Sequence, residues 1–220
     1  ELVSVRFPAW YLARNPTGFY IAASYSEELA QDFGGQVRNL VASERYQEIW
    51  LHDVTLSADT RAKSLWKTEQ GGRFLAVGVG SGIVGFGGSV ISLDDPIKKP
   101  EEAESQLFRD KVHRWYQTEV YTRQQPGAAI ILVMHRWHED DLAGRLLQDP
   151  GWEVIRLPAI AEQDDPLERK PGEALWPDMG YDRAFLDDVR KTLPDRYWQA
   201  LYQQRPSPEE GNIFKWWPTY

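Results

Sequence analysis

Five short apolar runs, separated by stretches of helical periodicity, constrain the fold of this chain more than any other feature. They are FYIAAS (19–24), RFLAVGV (73–79), SVISL (89–93), AAIILVM (128–134) and WEVIRL (152–157). Runs this short and this apolar predict strands buried on both faces. Between them, Leu2, Val5, Ala9 and Leu12 recur at helical spacing, which predicts a helix over 1–14. Asn15 to Gly18 predicts a turn, and residues 27–43 and 141–148 predict further helices. Pro100-Glu101-Glu102 opens another, with Ala103, Leu107, Val112 and Trp115 as its apolar stripe. Residues 50–72 read as irregular. The alternation predicts an α/β fold: a mostly parallel sheet flanked by helices on both faces.

From Pro158 the pattern changes. Pro, Asp and Glu dominate as far as Pro177. Two short helices are then predicted, over 182–192 and 195–204, with Phe185, Val189, Tyr197 and Leu201 on their apolar faces. This predicts a small helical lid subdomain. The expected organisation is a core over 1–157, a lid over 158–204 and a linker over 205–220. A chain of 220 residues that is 42% hydrophobic can bury such a core. Its ten Trp are read as packing and surface anchors.

Other sequence features remove whole classes of function. The longest apolar run, Ala128 to Met134, is too short to cross a bilayer, so no membrane partner is expected. Glu1-Leu2-Val3-Ser4 has no basic region or apolar signal core, so the protein is expected not to be secreted. Position 1 is not Met, and the chain is expected to begin inside a longer one. With no cysteine there is no disulfide, thiolate zinc site or cysteine nucleophile, which fits a reducing compartment. The net charge of −8 opposes a broad basic groove for nucleic acid.

Three segments carry candidate chemistry. In SVISLDDP (89–96) an apolar strand ends in two acids, as a Walker B element requires. The strand would fix Asp94 at the carboxyl end of the sheet, where ligands bind in such folds. Asp94 could then hold Mg²⁺ beside nucleotide phosphates, and Asp95 could orient the attacking water. The competing reading is a βα loop in which either Asp merely caps backbone donors. In AIILVMHRWHEDDLAGRLL (129–147) a strand runs into a polar cluster and then a helix. Here His135, Arg136 and His138 are candidate sensors of a γ-phosphate. The alternatives are a metal site of His135, His138 and Glu139, in an order unlike that of zinc proteases, and a cluster of helix caps. In GVGSGIVGFGG (78–88) the glycines invite a dinucleotide reading, but a strand comes next where that motif needs a helix. A turn between two strands is the better reading.

Taken together, these segments resemble the large terminase subunit of tailed bacteriophages and prophages. SYSEELAQDFGGQVRNLV (24–41) is similar to the family's segment after its second core strand, and residues 71–98 to its run into Walker B. IILVMHRWHEDDLAGRLL (130–147) resembles its coupling segment. LWPDM (175–179) and ALYQQRPSPEEGNIFKWW (200–217) resemble its ATPase–nuclease junction. The resemblance implies a P-loop NTPase-like fold of the additional-strand type. On it, 1–157 is the Walker B side of an ATPase core and 205–220 leads toward an RNase H-like nuclease. It implies ATP and Mg²⁺ as cofactors, with double-stranded DNA, the portal protein and the small terminase subunit as partners, and a homo-oligomeric ring. It also implies ATP-driven translocation of DNA into the procapsid, in the cytoplasm of the bacterial host.

On that resemblance Asp94 binds Mg²⁺, Asp95 positions the water, and His135, Arg136 and His138 couple phosphate state to lid movement. Four departures from the family pattern stand out. No nucleotide-binding P-loop is present: Glu1 to Ser4 resembles the residues just after the family's Gly-Lys-Ser. Phe86 stands where Arg is common, Gly88-Ser89 where Ala-Asp is usual, and His135 where Thr is usual. The nuclease acids are also missing. The 220-residue chain alone is therefore expected not to hydrolyse ATP. The alternative is a degenerate, truncated prophage remnant that works only as a binding or interaction module.

Overall fold

The computed structural model describes residues 1–51 and 53–207. The chain opens with a π-helical turn, Leu2–Arg6, that runs directly into helix α1 (Phe7–Arg14). Strand β1 (Phe19–Ser24) comes after the predicted turn. Helix α2 (Glu27–Val41) begins where Ser26 accepts a hydrogen bond from the Leu29 N–H, with Glu27 and Glu28 at its positive end. Helix α3 (Glu44–Ile49) starts in the same way, with Ser43 capping Tyr46 N–H. The next elements are β2 (Leu56–Arg61), β3 (Leu65–Thr68), β4 (Arg73–Gly78) and β5 (Gly88–Asp94). Then come α4 (Pro100–Glu104), α5 (Gln106–Trp115), β6 (Gln124–Val133) and α6 (Leu142–Leu146). Helices α7 (Arg183–Thr192) and α8 (Asp195–Tyr197) complete the order.

All six strands form one sheet, in the order β2-β3-β4-β1-β5-β6. Pairs β4–β1, β1–β5 and β5–β6 are parallel, and β2–β3–β4 is an antiparallel extension. The mostly parallel α/β sheet predicted from the alternation is present. Strands β4 and β5 are not neighbours, since β1 lies between them. Residues 79–87 are therefore a crossover without a helix, not a hairpin turn. Trp115 Nε1 donates to Ser81 O at 3.0 Å and Glu119 accepts from Ile83 N–H, which pins this loop to the helical segment 106–120.

One face of the sheet is covered by the first turn, α1 and α2, through Val5, Ala9, Leu12, Val37 and Val41. Across it runs a ladder of parallel rings: Trp66 on Phe74 at 5.1 Å and Phe74 on Tyr20 at 5.6 Å. Trp66 Nε1 donates to Gly34 O, and a Cβ on Gly34 would lie 2.2 Å from Lys63 O. Glycine there lets α2 approach the strands.

The described residues form two compact units, Glu1–Glu102 with Gln106–Met134, and Ala103–Ser105 with the remainder from His135. The second has its own small core of Ile160, Leu186 and Trp198, with Tyr202 stacked on Trp198 at 4.9 Å. It also holds a part-buried ion pair, Arg169 to Asp165 at 2.6 Å. The Arg169 hydrogen bond, aided by the Leu167 and Arg169 N–H groups, holds the Asp165 carboxyl below its ordinary range. A depressed folded-state pKa adds stability above the unfolded value of about 4, which is lost as pH falls through the folded value. The melting temperature of the second unit is expected to drop from pH 5 toward pH 2, and Asp165→Asn to flatten that slope. An unchanged slope in the variant would contradict it.

Several expectations need correction. Residues 152–157 form no strand: Val154 and Ile155 are exposed, and no strand pairs with them among the described residues. Residues 50–72 contain β2 and β3 rather than irregular chain. The predicted helix from Pro100 is two helices divided at Ser105, and Leu107 is exposed rather than part of its stripe. In α7 the buried side chain is Leu186, one position from the exposed Phe185. The apolar run at 128–134 belongs to an edge strand whose residues are half-exposed or exposed. Of the expected linker over 205–220, residues 208–220 lie outside the described residues. No helix among the described residues is long and apolar enough to cross a membrane.

Candidate functional site

The carboxyl end of the parallel strands is where α/β sheets place ligands, because the loops diverge there and strand ends present side chains to the crevice. Asp94 is the last residue of β5 and Asp95 the first beyond it. Asp95 N–H donates to Val133 O at 2.9 Å, so the ladder with β6 extends one residue past the strand. Asp95 then turns with φ 43°, in the left-handed region that costs most side chains energy and that Asp tolerates better than most. Pro96 and Ile97, both buried, anchor the chain on the far side of that turn.

Asp94 is surrounded by hydroxyls that no local motif marks. Ser4, on the first helical turn, donates to Asp94 Oδ2. Ser24 ends β1 and is the register partner of Asp94. Ser92 lies two residues back on β5, so it shares a face with Asp94. Ser4, Ser24, Ser92 and Tyr20 are all buried. Burial, with a further push from the Asp94 charge, holds the Tyr20 hydroxyl well above its ordinary range, so it stays neutral beside the carboxylate. The signal that could have found them is period-two spacing: Tyr20, Ala22 and Ser24 on one strand, Ser92 and Asp94 on the next.

This donor set consists of hard oxygens only, as Mg²⁺ requires. Among the described residues no three His, Asp or Glu side chains gather as a ligand set. A cation here would take one carboxylate from this chain and complete its shell with water and substrate oxygens, which is how Mg²⁺ is commonly held.

The segment after β6 belongs to the second unit. Asp141 is fully buried and caps α6 through Gly144 N–H at 2.8 Å. It also accepts two bonds from Arg136 Nε, at 3.0 and 2.9 Å, and one from Trp137 N–H. Arg136 Nη2 reaches His138 O at 3.5 Å, so Arg136 and His138 are brought together. His138 Nδ1 accepts from Asp140 N–H, and Asp140 pairs with Arg145 at 2.7 Å. His135 is exposed. A Cβ on Gly144 would lie 1.8 Å from Glu139 O, so only glycine lets this cap close.

Phe86 lies before the amino end of β5, edge-on to Phe19 at 5.8 Å, and Arg73 covers the Phe19 ring at 5.0 Å. At roughly 3.3 Å per residue, β5 sets position 86 on the order of 20 Å from Asp94. Ser89 accepts from Phe19 N–H and donates to Gln125, which ties three strands together at that same end.

Residues 1–214 match the family described as terminase large subunit, T4likevirus-type, N-terminal. No curated protein matches the sequence. Among solved structures, the large terminase of bacteriophage HK97 is similar with 12% identity and a TM-score of 0.49, over 86% of this chain and 40% of that one. A mutant of the large terminase ATPase domain of Thermus phage P74-26 is similar with 14% identity and a TM-score of 0.49, over 91% and 81%. This chain thus spans 40% of the length of the HK97 protein.

Proposed function

The chain belongs to the family of the N-terminal part of the T4likevirus-type terminase large subunit, and from that premise we propose that it supplies the Walker B side of the ATPase that drives phage DNA packaging. The observation that carries this reading is Asp94-Asp95 at the carboxyl end of a central parallel strand, with the first carboxylate held by Ser4. Asp94 is the carboxylate that receives Mg²⁺, and Asp95, directly beyond it, orients the water that attacks the γ-phosphate. When bound, Mg²⁺ neutralises charge on the phosphate oxygens. Ser4 holds the Asp94 side chain by its hydrogen bond, and the buried Tyr20 is part of the apolar packing on the same face of the sheet. His135, Arg136 and His138, which come directly after strand β6, are the residues that couple phosphate state to lid movement. In the cell this activity belongs to a ring on the portal, in the host cytoplasm, with double-stranded DNA and the small subunit as partners.

Residues 1–220 contain no Gly-x-x-x-x-Gly-Lys-Ser/Thr loop, so nothing in this stretch cradles the β- and γ-phosphates. The purified chain is expected to show no Mg²⁺-dependent ATP turnover above a blank. Turnover abolished by Asp94→Ala would contradict that inactivity while supporting the role of Asp94. A second reading is favoured by Phe86. Its ring is built into aromatic packing with Phe19, at a position where the family commonly carries an arginine. On that reading the chain is a remnant that retains only a binding role, and even with the rest of the motor restored, Asp95→Asn would leave turnover unchanged. On the ATPase reading the same variant lowers it by ~10²–10⁴-fold.

A further inference from the structure

Ser24 is 1% exposed, and its hydroxyl oxygen has no hydrogen-bond partner. Buried hydroxyls are normally paired, and an unpaired one in a folded protein needs a reason. The position supplies one. Ser24 ends β1 between Gly78 of β4, which has no side chain, and Asp94 of β5. The Gly78 side is closed, because a Cβ there would lie 2.7 Å from Glu27 N at the start of α2. Residues in register across parallel strands project to the same face, so Ser24 and Asp94 share theirs. On that face Ser4 already engages Asp94 Oδ2.

We propose that Ser24 is a positioning residue for the cation at Asp94: its Oγ accepts a hydrogen bond from a water in the coordination shell of the bound Mg²⁺. This rests on the reading of Asp94 as the cation carboxylate. The chemistry fits. Mg²⁺ keeps several of its waters, and those waters are strong donors. A serine hydroxyl offers two acceptor lone pairs and stays neutral, so it adds no charge beside the carboxylate. The unpaired hydroxyl is then a cost borne by the metal-free chain and relieved when the hydrated ion arrives.

The test uses the full 220-residue chain, with Mn²⁺ as probe and free Mn²⁺ read by electron paramagnetic resonance. Wild type, Ser24→Ala, Ser24→Thr and Asp94→Asn are compared, and melting temperatures are recorded in chelator. Asp94→Asn is expected to remove the bound Mn²⁺. Ser24→Ala is expected to weaken Mn²⁺ binding by about 10-fold, in the range seen for outer-shell partners of metal sites. Ser24→Thr, which keeps the hydroxyl, is expected to retain wild-type affinity. In chelator Ser24→Ala is expected to melt a few degrees higher, because it removes an unsatisfied group. Wild-type affinity in Ser24→Ala, with binding lost in Asp94→Asn, overturns the inference and leaves the Asp94 reading standing. Binding unaffected by Asp94→Asn overturns that reading itself. A lower melting temperature for Ser24→Ala in chelator also overturns the inference, since the hydroxyl would then have an internal partner.

Discussion

Arg136→Ala is expected to destabilise the second unit by about 3–5 kcal/mol, the range for removing one partner of a buried ion pair. Asp141 has no exposed surface, and Arg136 is the cation that faces it. Without the guanidinium the carboxylate keeps its N–H donors but no positive charge, and α6 loses the geometry of its cap. The change is read as a shift in urea midpoint at constant slope. Arg136→Lys is expected to recover little, because one ammonium cannot reproduce the planar fork that meets both Asp141 and the His138 carbonyl. Adding Asp141→Asn to Arg136→Ala is expected to return much of the loss by removing the stranded charge. A shift below about 1 kcal/mol for Arg136→Ala would mean that the pair behaves like an exposed one. The same geometry bears on coupling. Arg136 Nε and Nη2 are engaged in the cap, so any response of this arginine to nucleotide also changes α6.

The second large effect is expected at Trp66. It is fully buried, stacks on Phe74 and donates to Gly34 O. Trp66→Ala is expected to cost about 3–5 kcal/mol, as for other large aromatic truncations in cores. Trp66→Phe keeps a ring but leaves the Gly34 carbonyl without its donor, which is expected to cost about 1–3 kcal/mol. Thermal unfolding followed by circular dichroism measures both. The ladder continues through Phe74 to Tyr20, whose hydroxyl neighbours Asp94. Near-ultraviolet dichroism of Trp66→Ala is therefore expected to lose intensity beyond that of one indole. A variant as stable as wild type would contradict the ladder as the centre of this core.

How much of this was legible in the sequence depended on whether the signal was local. The runs 19–24, 73–79 and 89–93 read as strands because every position in them is apolar or small, apart from Arg73 at the start of one, and the structure pairs them in parallel. Asp94 stood out for the same reason: a carboxylate directly after such a run has to emerge at the strand end. The pair β2 and β3 was missed because LSADTR has no apolar alternation and LWKT is too short for a period to register. In β3 only Trp66 and Thr68 turn inward. The run WEVIRL has strand composition but no neighbouring strand among the described residues, and composition alone cannot supply a ladder. Phe185 and Leu186 were exchanged because a helical face read from a short, strongly charged segment is uncertain by one position. The hydroxyls around Asp94 come from three separate segments, at positions 4, 20–24 and 92. Period-two spacing marks the shared face within each strand, but the pairing of β1 with β5 and the reach of Ser4 to Asp94 are tertiary facts.

The central claim is that Asp94 is the cation carboxylate at the end of β5. It is tested most directly by titrating Mg²⁺ into the isotopically labelled chain and monitoring the side-chain carboxyl carbons and backbone amides by NMR. The account predicts saturable shifts at the Asp94 carboxyl, at the Asp95 amide and at the neighbouring Ser4 and Ser24, all absent in Asp94→Asn. Shifts confined to His135, His138 and Glu139, with Asp94 unmoved, would contradict it.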